Sequence, residues 1–419
     1  MVVEREARVL AVVLAGGRGQ RLHPLTMERS KPAVPFGGKW RIIDFVLSNL
    51  VNSGLQSIYV LTQYKAQSLL EHLQLAWVRS FSPTSFITAV PAQMQAGVAW
   101  YRGTADAIHQ NIRLFDRSRP DMVAVFGADH IYKMNVRQMI DFHRKTGAVA
   151  TVACLPVETA MAKAFGVIKV DDDWRIRGFE EKPENPSEIP GLPGYSLVSM
   201  GNYIFNTHTL VDYLDEDASD PDSLHDFGKS ILPKMIHLMP VYAYDFKRNR
   251  IPLESAEESA YWRDIGTLDA YYESNLDLKN VEPRLNLYNW DWPIRTVSYS
   301  DPPVKFVFDE DNRRGEAIQS TVAGGCILSG GYVKDSVLGR NVLVDEGAMV
   351  ENCIILDNCW IDRGAKLRNV IVDKNNHIAA HEKIGFDPGL DKERFHVSSG
   401  GIVAIPRGKD SPEHRARNL

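Results

Sequence analysis

The feature that most constrains this chain is a six-residue beat in its C-terminal third. Val337, Leu343, Met349, Ile355, Ile361 and Leu367 are all apolar, each six positions after the last. A second phase runs through Leu338, Val344, Val350 and Leu356, with Gly339, Asn341, Gly347, Asn352, Asp357 and Gly364 between. Six is neither the 3.6-residue period of a helix nor the two-residue period of a strand. It fits a parallel β-helix, in which each hexapeptide forms one side of a triangular coil and the inward residues stack. An evenly spaced β-sandwich is the alternative for such a pattern.

The first two thirds read differently. Residues 9–15 form a continuous apolar run that ends in glycines, the mark of a strand buried on both faces. Residues 58–62, 122–126 and 149–155 read the same way, and helical patterns at 44–53, 66–75, 105–115 and 136–146 lie between them. Alternation of this kind predicts an α/β, Rossmann-like domain with a mixed, mostly parallel sheet between helices. Residues 289–303, rich in Trp, Pro and Asp, have no period. The expected organisation is therefore residues 1–285, a linker at 286–305, and a β-helix over 306–419.

Composition narrows the function. With 48 Lys+Arg against 53 Asp+Glu the net charge is −5, without the basic excess that nucleic acid or an anionic membrane surface calls for. Cys154, Cys326, Cys353 and Cys359 form no C-x-x-C and read as core thiols in a reducing compartment. No apolar run approaches the ~20 residues that span a bilayer. Glu4 and Glu6 at the start do not suit a secretory signal. A cytoplasmic protein is expected.

Ligands of such sheets bind beyond the strand C-termini, so chemistry is sought there. Leu14-Ala15-Gly16-Gly17-Arg18-Gly19-Gln20-Arg21-Leu22, followed by Lys31-Pro32, lies after the first strand. Its glycines let backbone N–H groups approach phosphate oxygens, and Arg18, Arg21 and Lys31 add positive donors. It is neither a Walker loop nor a dinucleotide fingerprint, since Leu22 stands where the last glycine of the latter belongs. Asp129, in Gly127-Ala128-Asp129-His130, is placed either to hold Mg²⁺ or to cap a helix. Asp264, in Tyr261–Thr267, is a second acidic candidate. Lys182, before Pro183, is expected in extended backbone, either solvated or clamping an anionic substrate.

These segments resemble the sugar nucleotidyltransferase superfamily and, more closely, the bacterial ADP-glucose pyrophosphorylase family. The resembling blocks are KPAVPFGGKWRIIDFVLSN (31–49), WYRGTADA (100–107), GADHIYKM (127–134), FEEKP (179–183), SMGNYIF (199–205), DFGKSILP (226–233) and YWRDIGT (261–267). The resemblance implies transfer of an adenylyl group from ATP to glucose 1-phosphate, giving ADP-glucose and pyrophosphate for glycogen synthesis. It implies that Ala15, Gly16, Gly17, Arg18 and Gly19 cradle ATP with Arg21 and Lys31 nearby, and that Gly103 and Thr104 lie against its base. It implies that Tyr101, Gly166, Glu181, Lys182 and Ser199 hold glucose 1-phosphate, and that Asp129 and Asp264 hold Mg²⁺. Arg18, Lys31 and Asp129 would be the catalytic residues. A left-handed β-helix, a homotetramer and allosteric small-molecule effectors are implied as well. Glu28 and Pro35 stand where many members carry Lys or Arg and His, which leaves Arg29, Arg41 and Arg117 as candidate effector contacts. The rivals are uridylyl or thymidylyl transfer, a non-catalytic regulatory subunit, and an acyltransferase using His377 or His381 of the hexapeptide region.

Overall fold

A computed structural model describes residues 7–77, 85–93, 100–310 and 313–409. Glu4, Glu6 and residues 410–419 of the predicted β-helix region lie outside the described residues.

The N-terminal part is built on a nine-stranded sheet. Val9–Ala15 lies near its middle, parallel to Ser57–Thr62 on one side and to Met122–Gly127 on the other. Phe86–Pro91 extends the parallel half. In the other half the long strand Tyr195–Asn206 runs antiparallel to Met122–Gly127, Ala150–Glu158 and Gly166–Val170. Alternation along the first strand covers both faces. Ala11, Val13 and Ala15 pack under the helices Ile42–Asn52 and Val136–Thr146, and Leu10 and Val12 under Thr104–His109, Thr207–Ser219 and Leu232–Leu238. Each fully buried Leu, Val or Ile contributes about 1.5–3 kcal/mol, so the layered core is the main source of stability.

Two local expectations differ from the structure. The pattern at 105–115 is two short helices, Thr104–His109 and Arg113–Ser118. Buried Asn111 donates its side-chain Nδ2 to the Ala107 carbonyl at 2.8 Å and to the Tyr101 hydroxyl at 2.9 Å. Its backbone N–H turns instead to Ile108 O at 2.9 Å, three residues back, and the α-helical ladder breaks there. Lys182 is not extended but left-handed, φ 50°, with its N–H donated to Phe165 O at 3.0 Å. A residue before proline avoids the helical region, but tertiary pairing overrides that preference at this strand end.

The C-terminal part is a parallel β-helix of three sheets, consistent with the left-handed form. From Tyr332 to Ile384 its coil is 17 residues, not 18, with Val337 paired to Ile354, Leu343 to Trp360 and Met349 to Lys366, and the preceding coil, in which Glu316 pairs with Tyr332 and Ile327 with Leu343, is 16. The two phases in the sequence are one inward stack. Leu338, Val344 and Val350 are buried, and the next inward residue is Ile355 rather than Leu356, after which Ile361 and Leu367 follow. The short step falls where Asp335, Asn352 and Asn369 take left-handed backbone, φ 49–55°. At another corner Asn341, Asn358 and Asn375 form a side-chain ladder with contacts of 3.3 and 3.2 Å. The four cysteines are free and buried. His377 pairs with Asp362 at 2.6 Å on an exposed face.

A separate core joins the two parts. Leu22, Leu25, Phe36, Phe45, Ile131, Ile265 and Tyr271 meet Ile354, Leu356, Ile371 and Ala404 of the β-helix. Within this junction Arg29 Nη2 reaches both carboxylate oxygens of Asp373, at 2.6 and 2.7 Å, and both side chains are buried. Arg29, one of the effector candidates, is thus a strut between the parts. Removing one partner of a buried pair leaves an uncompensated charge, at about 3–5 kcal/mol. Asp373→Ala should lower the unfolding midpoint accordingly, and Arg29→Met with Asp373→Leu should recover most of the loss. Denaturant titration of the three proteins checks this, and an unaltered midpoint in the single variant would refute the strut.

Candidate active site

Beyond the C-terminal ends of the parallel strands lies a cavity of about 960 Å³. It is lined by Gly16, Gly17, Arg18, Gly19, Arg21, Lys31, Tyr101, Gly103, Thr104, Asp129, Gly166, Glu181, Lys182, Ser199 and Asp264. Every residue assigned above to catalysis, substrate or metal is thus at the cavity except Ala15, which is buried in the strand beneath it.

The glycine loop leaves the first strand and turns at Gly19, φ 62°, into the short helix Gln20–Leu22. A Cβ on Gly19 would lie 2.8 Å from Lys31 Cβ, so this glycine seats the lysine stem as well as making the turn. Arg18 and Arg21 are exposed to the cavity side, with the Arg18 guanidinium 5.9 Å from the Tyr64 ring centre.

Lys31 lies in a short 3-10 turn, Lys31–Ala33, with only 7% of its side chain exposed. Its Nζ donates to Asp129 Oδ2 and Asp264 Oδ1, at 3.1 Å each. The carboxylates come together because His130–Tyr132 and Trp262–Asp264 pair as an antiparallel ribbon, Asp264 opposite His130. Ile131 and Ile265 anchor that ribbon in the junction core. Burial opposes the charge of Lys31, but Asp129 and Asp264 outweigh it and raise the ammonium pKa. Desolvation likewise opposes the charge of Asp129, yet His130 and Lys31 hold its carboxyl well below the usual carboxylate range.

At the opposite wall Gly103 precedes the helix Thr104–His109. A Cβ there would lie 2.2 Å from the His225 carbonyl oxygen, which accepts from Ala105 N at 2.9 Å. Thr104 Oγ1 donates to Asp226 Oδ2 and accepts from Phe227 N, both at 3.0 Å. Gly103 is therefore required by the chain's own backbone. Nearby, a Cβ on Gly166 would meet Phe179 Cζ at 2.5 Å, and Ser199 Oγ accepts from Gly201 N at 3.2 Å, where the long strand bulges.

Sequence reasoning missed Gln63, His130, Tyr203, Asp226, Trp262 and Gly266, which also line the cavity. All but Gln63 lie inside the recognised blocks, and nothing in the chain order showed which would point inward; Gln63, just after the strand Ser57–Thr62, carried only the signal of a strand end. Gln63 accepts from Tyr101 N at 2.9 Å and ties that segment to the glycine-loop side. Burial raises the Tyr203 phenol above its usual value. The effector candidates line no part of this cavity: Arg41 donates to Ser68 O at 2.7 Å, and Arg117 lies 5.7 Å from the Phe86 ring centre.

A phosphate-approaching loop, converging cations and an acidic pair at the switch point of an α/β sheet define a phosphoryl- or nucleotidyl-transferring site. A nucleotidyl transferase family model matches residues 10–281, and a GlmU-like C-terminal hexapeptide model matches residues 302–405. The chain belongs to the nucleotidyl transferase family. Among its relatives, a glucose-1-phosphate adenylyltransferase of Thermus thermophilus is 55% identical over 410 residues, covering 96% of this chain and 99% of the relative. Proteins of the same name from Anaeromyxobacter dehalogenans and Deinococcus radiodurans are 51% identical over 405 residues and 49% over 408, each covering 96% of this chain and 98% of the relative. These relatives support the glucose-1-phosphate adenylyltransferase reading over uridylyl or thymidylyl transfer and over a non-catalytic subunit.

Two outcomes are expected. Gly103→Ala should displace the helix Thr104–His109, lowering thermal stability and turnover together, and a variant with wild-type values of both would contradict the close approach. The Asp129 pKa is depressed, so its stabilising contribution is present above about pH 4 and lost as pH falls through the folded value. The raised Lys31 pKa keeps its share intact below about pH 10. The melting-temperature gap between wild type and Lys31→Met should then be constant from about pH 5 to 9 and close at lower pH. A gap that drifts between about pH 5 and 9 would contradict the pairing.

Proposed function

We propose that this protein transfers the adenylyl group of ATP to glucose 1-phosphate, forming ADP-glucose and pyrophosphate. The observation that carries the reading is the pairing of Lys31 with Asp129 and Asp264 beside the Gly16–Gly19 loop, in a cavity large enough for two phosphorylated reactants. The phosphate of glucose 1-phosphate is already an anionic nucleophile, so no protein base is required. The obstacle is repulsion: at an effective dielectric of about 20, two unit charges 4 Å apart cost about 4 kcal/mol, and several such pairs meet here.

Arg18, Arg21 and Lys31 are the groups that offset this. Arg18 and Arg21 flank the loop that would bind the triphosphate, and Lys31 beside it would offset the charge that develops on the departing pyrophosphate. Lys182, with 62% of its side chain exposed and Glu181 Oε1 at 3.6 Å, is available to the sugar phosphate. Tyr101, Gly166 and Ser199 would complete that subsite. The donor set fits Mg²⁺: ligand atoms of Asp129, His130 and Asp264 lie within 4.8 Å of one another, and two are carboxylates, which this cation favours. When bound, Mg²⁺ would supply charge neutralisation on the triphosphate.

A role in glycogen synthesis, a homotetramer and control by small anionic effectors belong to the same proposal. Arg41 lines a narrow crevice between the two parts of the chain with Lys39, Asp357 and Lys374, whose free volume of about 10 Å³ has room for no more than a water, so effector control rests on the family resemblance alone. Among the described residues no helix is long and apolar enough to cross a membrane. A cytoplasmic location is part of the proposal.

With ATP, Mg²⁺ and glucose 1-phosphate the purified protein should release pyrophosphate, faster than with UTP, dTTP or GTP. Asp129→Ala should lower kcat by orders of magnitude with little change in KM for glucose 1-phosphate. Lys182→Ala should chiefly raise that KM. Reversal of the two patterns in steady-state assays would exchange the roles assigned to these residues.

A further inference from the structure

Lys31 has a relation to the acidic pair that its role toward phosphate does not explain. Its ammonium is 3.1 Å from Asp129 Oδ2 and 3.1 Å from Asp264 Oδ1, bridging the two carboxylates. A divalent cation shared by the same two oxygens would sit about 2.1 Å from each. The ammonium and such a cation require the same few cubic ångströms, and two positive groups in that space repel. We propose that Lys31 is an exchangeable counter-ion, whose ammonium holds Asp129 and Asp264 together and yields both carboxylates when a divalent cation arrives with an anionic substrate. This rests on the reading of Asp129 and Asp264 as the metal pair and goes beyond it.

Three observations carry the exchange. The Lys31 side chain is only 7% exposed, whereas Asp129 is 44% and Asp264 21% exposed, so the carboxylates that hold the ammonium are open to a cation in the cavity. The stem borders the glycine loop, since a Cβ built on Gly19 would lie 2.8 Å from Lys31 Cβ. That same contact places Lys31 directly against the loop that would receive the phosphates. An ammonium displaced from the carboxylates therefore has an anionic partner within reach only when a triphosphate is present. Metal and nucleotide affinities are then coupled, and linkage makes the coupling reciprocal.

The test is Mn²⁺ binding to the whole protein without nucleotide, followed by electron paramagnetic resonance. Lys31→Gln should bind Mn²⁺ at least tenfold more tightly than wild type, because no resident cation has to leave. Equal or weaker binding would overturn the exchange. Adding Asp264→Asn to Lys31→Gln should abolish the tight binding. Tight binding that survives this change would show that the ion sits elsewhere, and the metal-pair reading itself would fall. A measurement on unaltered protein guards against misfolding of the variant. Saturating Mg²⁺ should raise reductive methylation of Lys31, read by mass spectrometry, several-fold as its ammonium is released. Unchanged or diminished labelling would count against the exchange.

Discussion

The site depends on one electrostatic arrangement: a nearly buried ammonium between two carboxylates that would otherwise repel each other. Lys31 reaches Asp129 across 98 positions of sequence and Asp264 across 233. Neither carboxylate would be stable facing the other without a cation, and a lysine as buried as this one would tend to lose its proton without them. The three groups therefore fold as a unit. The surrounding elements serve to hold it: the glycine loop that seats the lysine stem, the strand that ends before Asp129, and the two-stranded ribbon that brings Asp264 alongside.

That ribbon is where the two parts of the chain become one machine. Ile131 and Ile265 sit in the same core as Ile354, Ile371 and Ala404 of the β-helix, and Arg29, two residues before Lys31, is locked to Asp373. The β-helix thus braces the floor of the cavity. A shift at the junction would be felt at the acidic pair through packed side chains, since well-packed cores transmit displacement rather than absorb it. The salt bridge by itself is weak evidence of net stabilisation, but breaking it would leave a buried charge unpaired.

Much of this was legible in the order of residues. The glycine loop, the apolar strand runs and the helix pattern at 136–146 follow from local rules, and so does the repeating character of the C-terminal part. The misreadings have physical causes. A strict six-residue count misses the corner at Asn352, where the inward residues Val350 and Ile355 are five apart. The break at Asn111 comes from a side chain that competes with the helix for a carbonyl, and the φ of Lys182 from a hydrogen bond to Phe165. Arg29 is one of several arginines by sequence and becomes a buried strut only because Asp373 lies opposite.

The sequence by itself determined the class of each part, because periodicity and glycine placement are consequences of backbone geometry that no distant contact alters. It also marked the segments that carry the chemistry, since cations and carboxylates at strand ends have few other uses. Only the tertiary structure decided which carboxylates share the lysine, that Gly103 answers to the His225 carbonyl, and that Arg29 belongs to the junction. Those facts depend on distances between segments 98 to 344 residues apart, and such distances are set by the packing of cores rather than by any local preference.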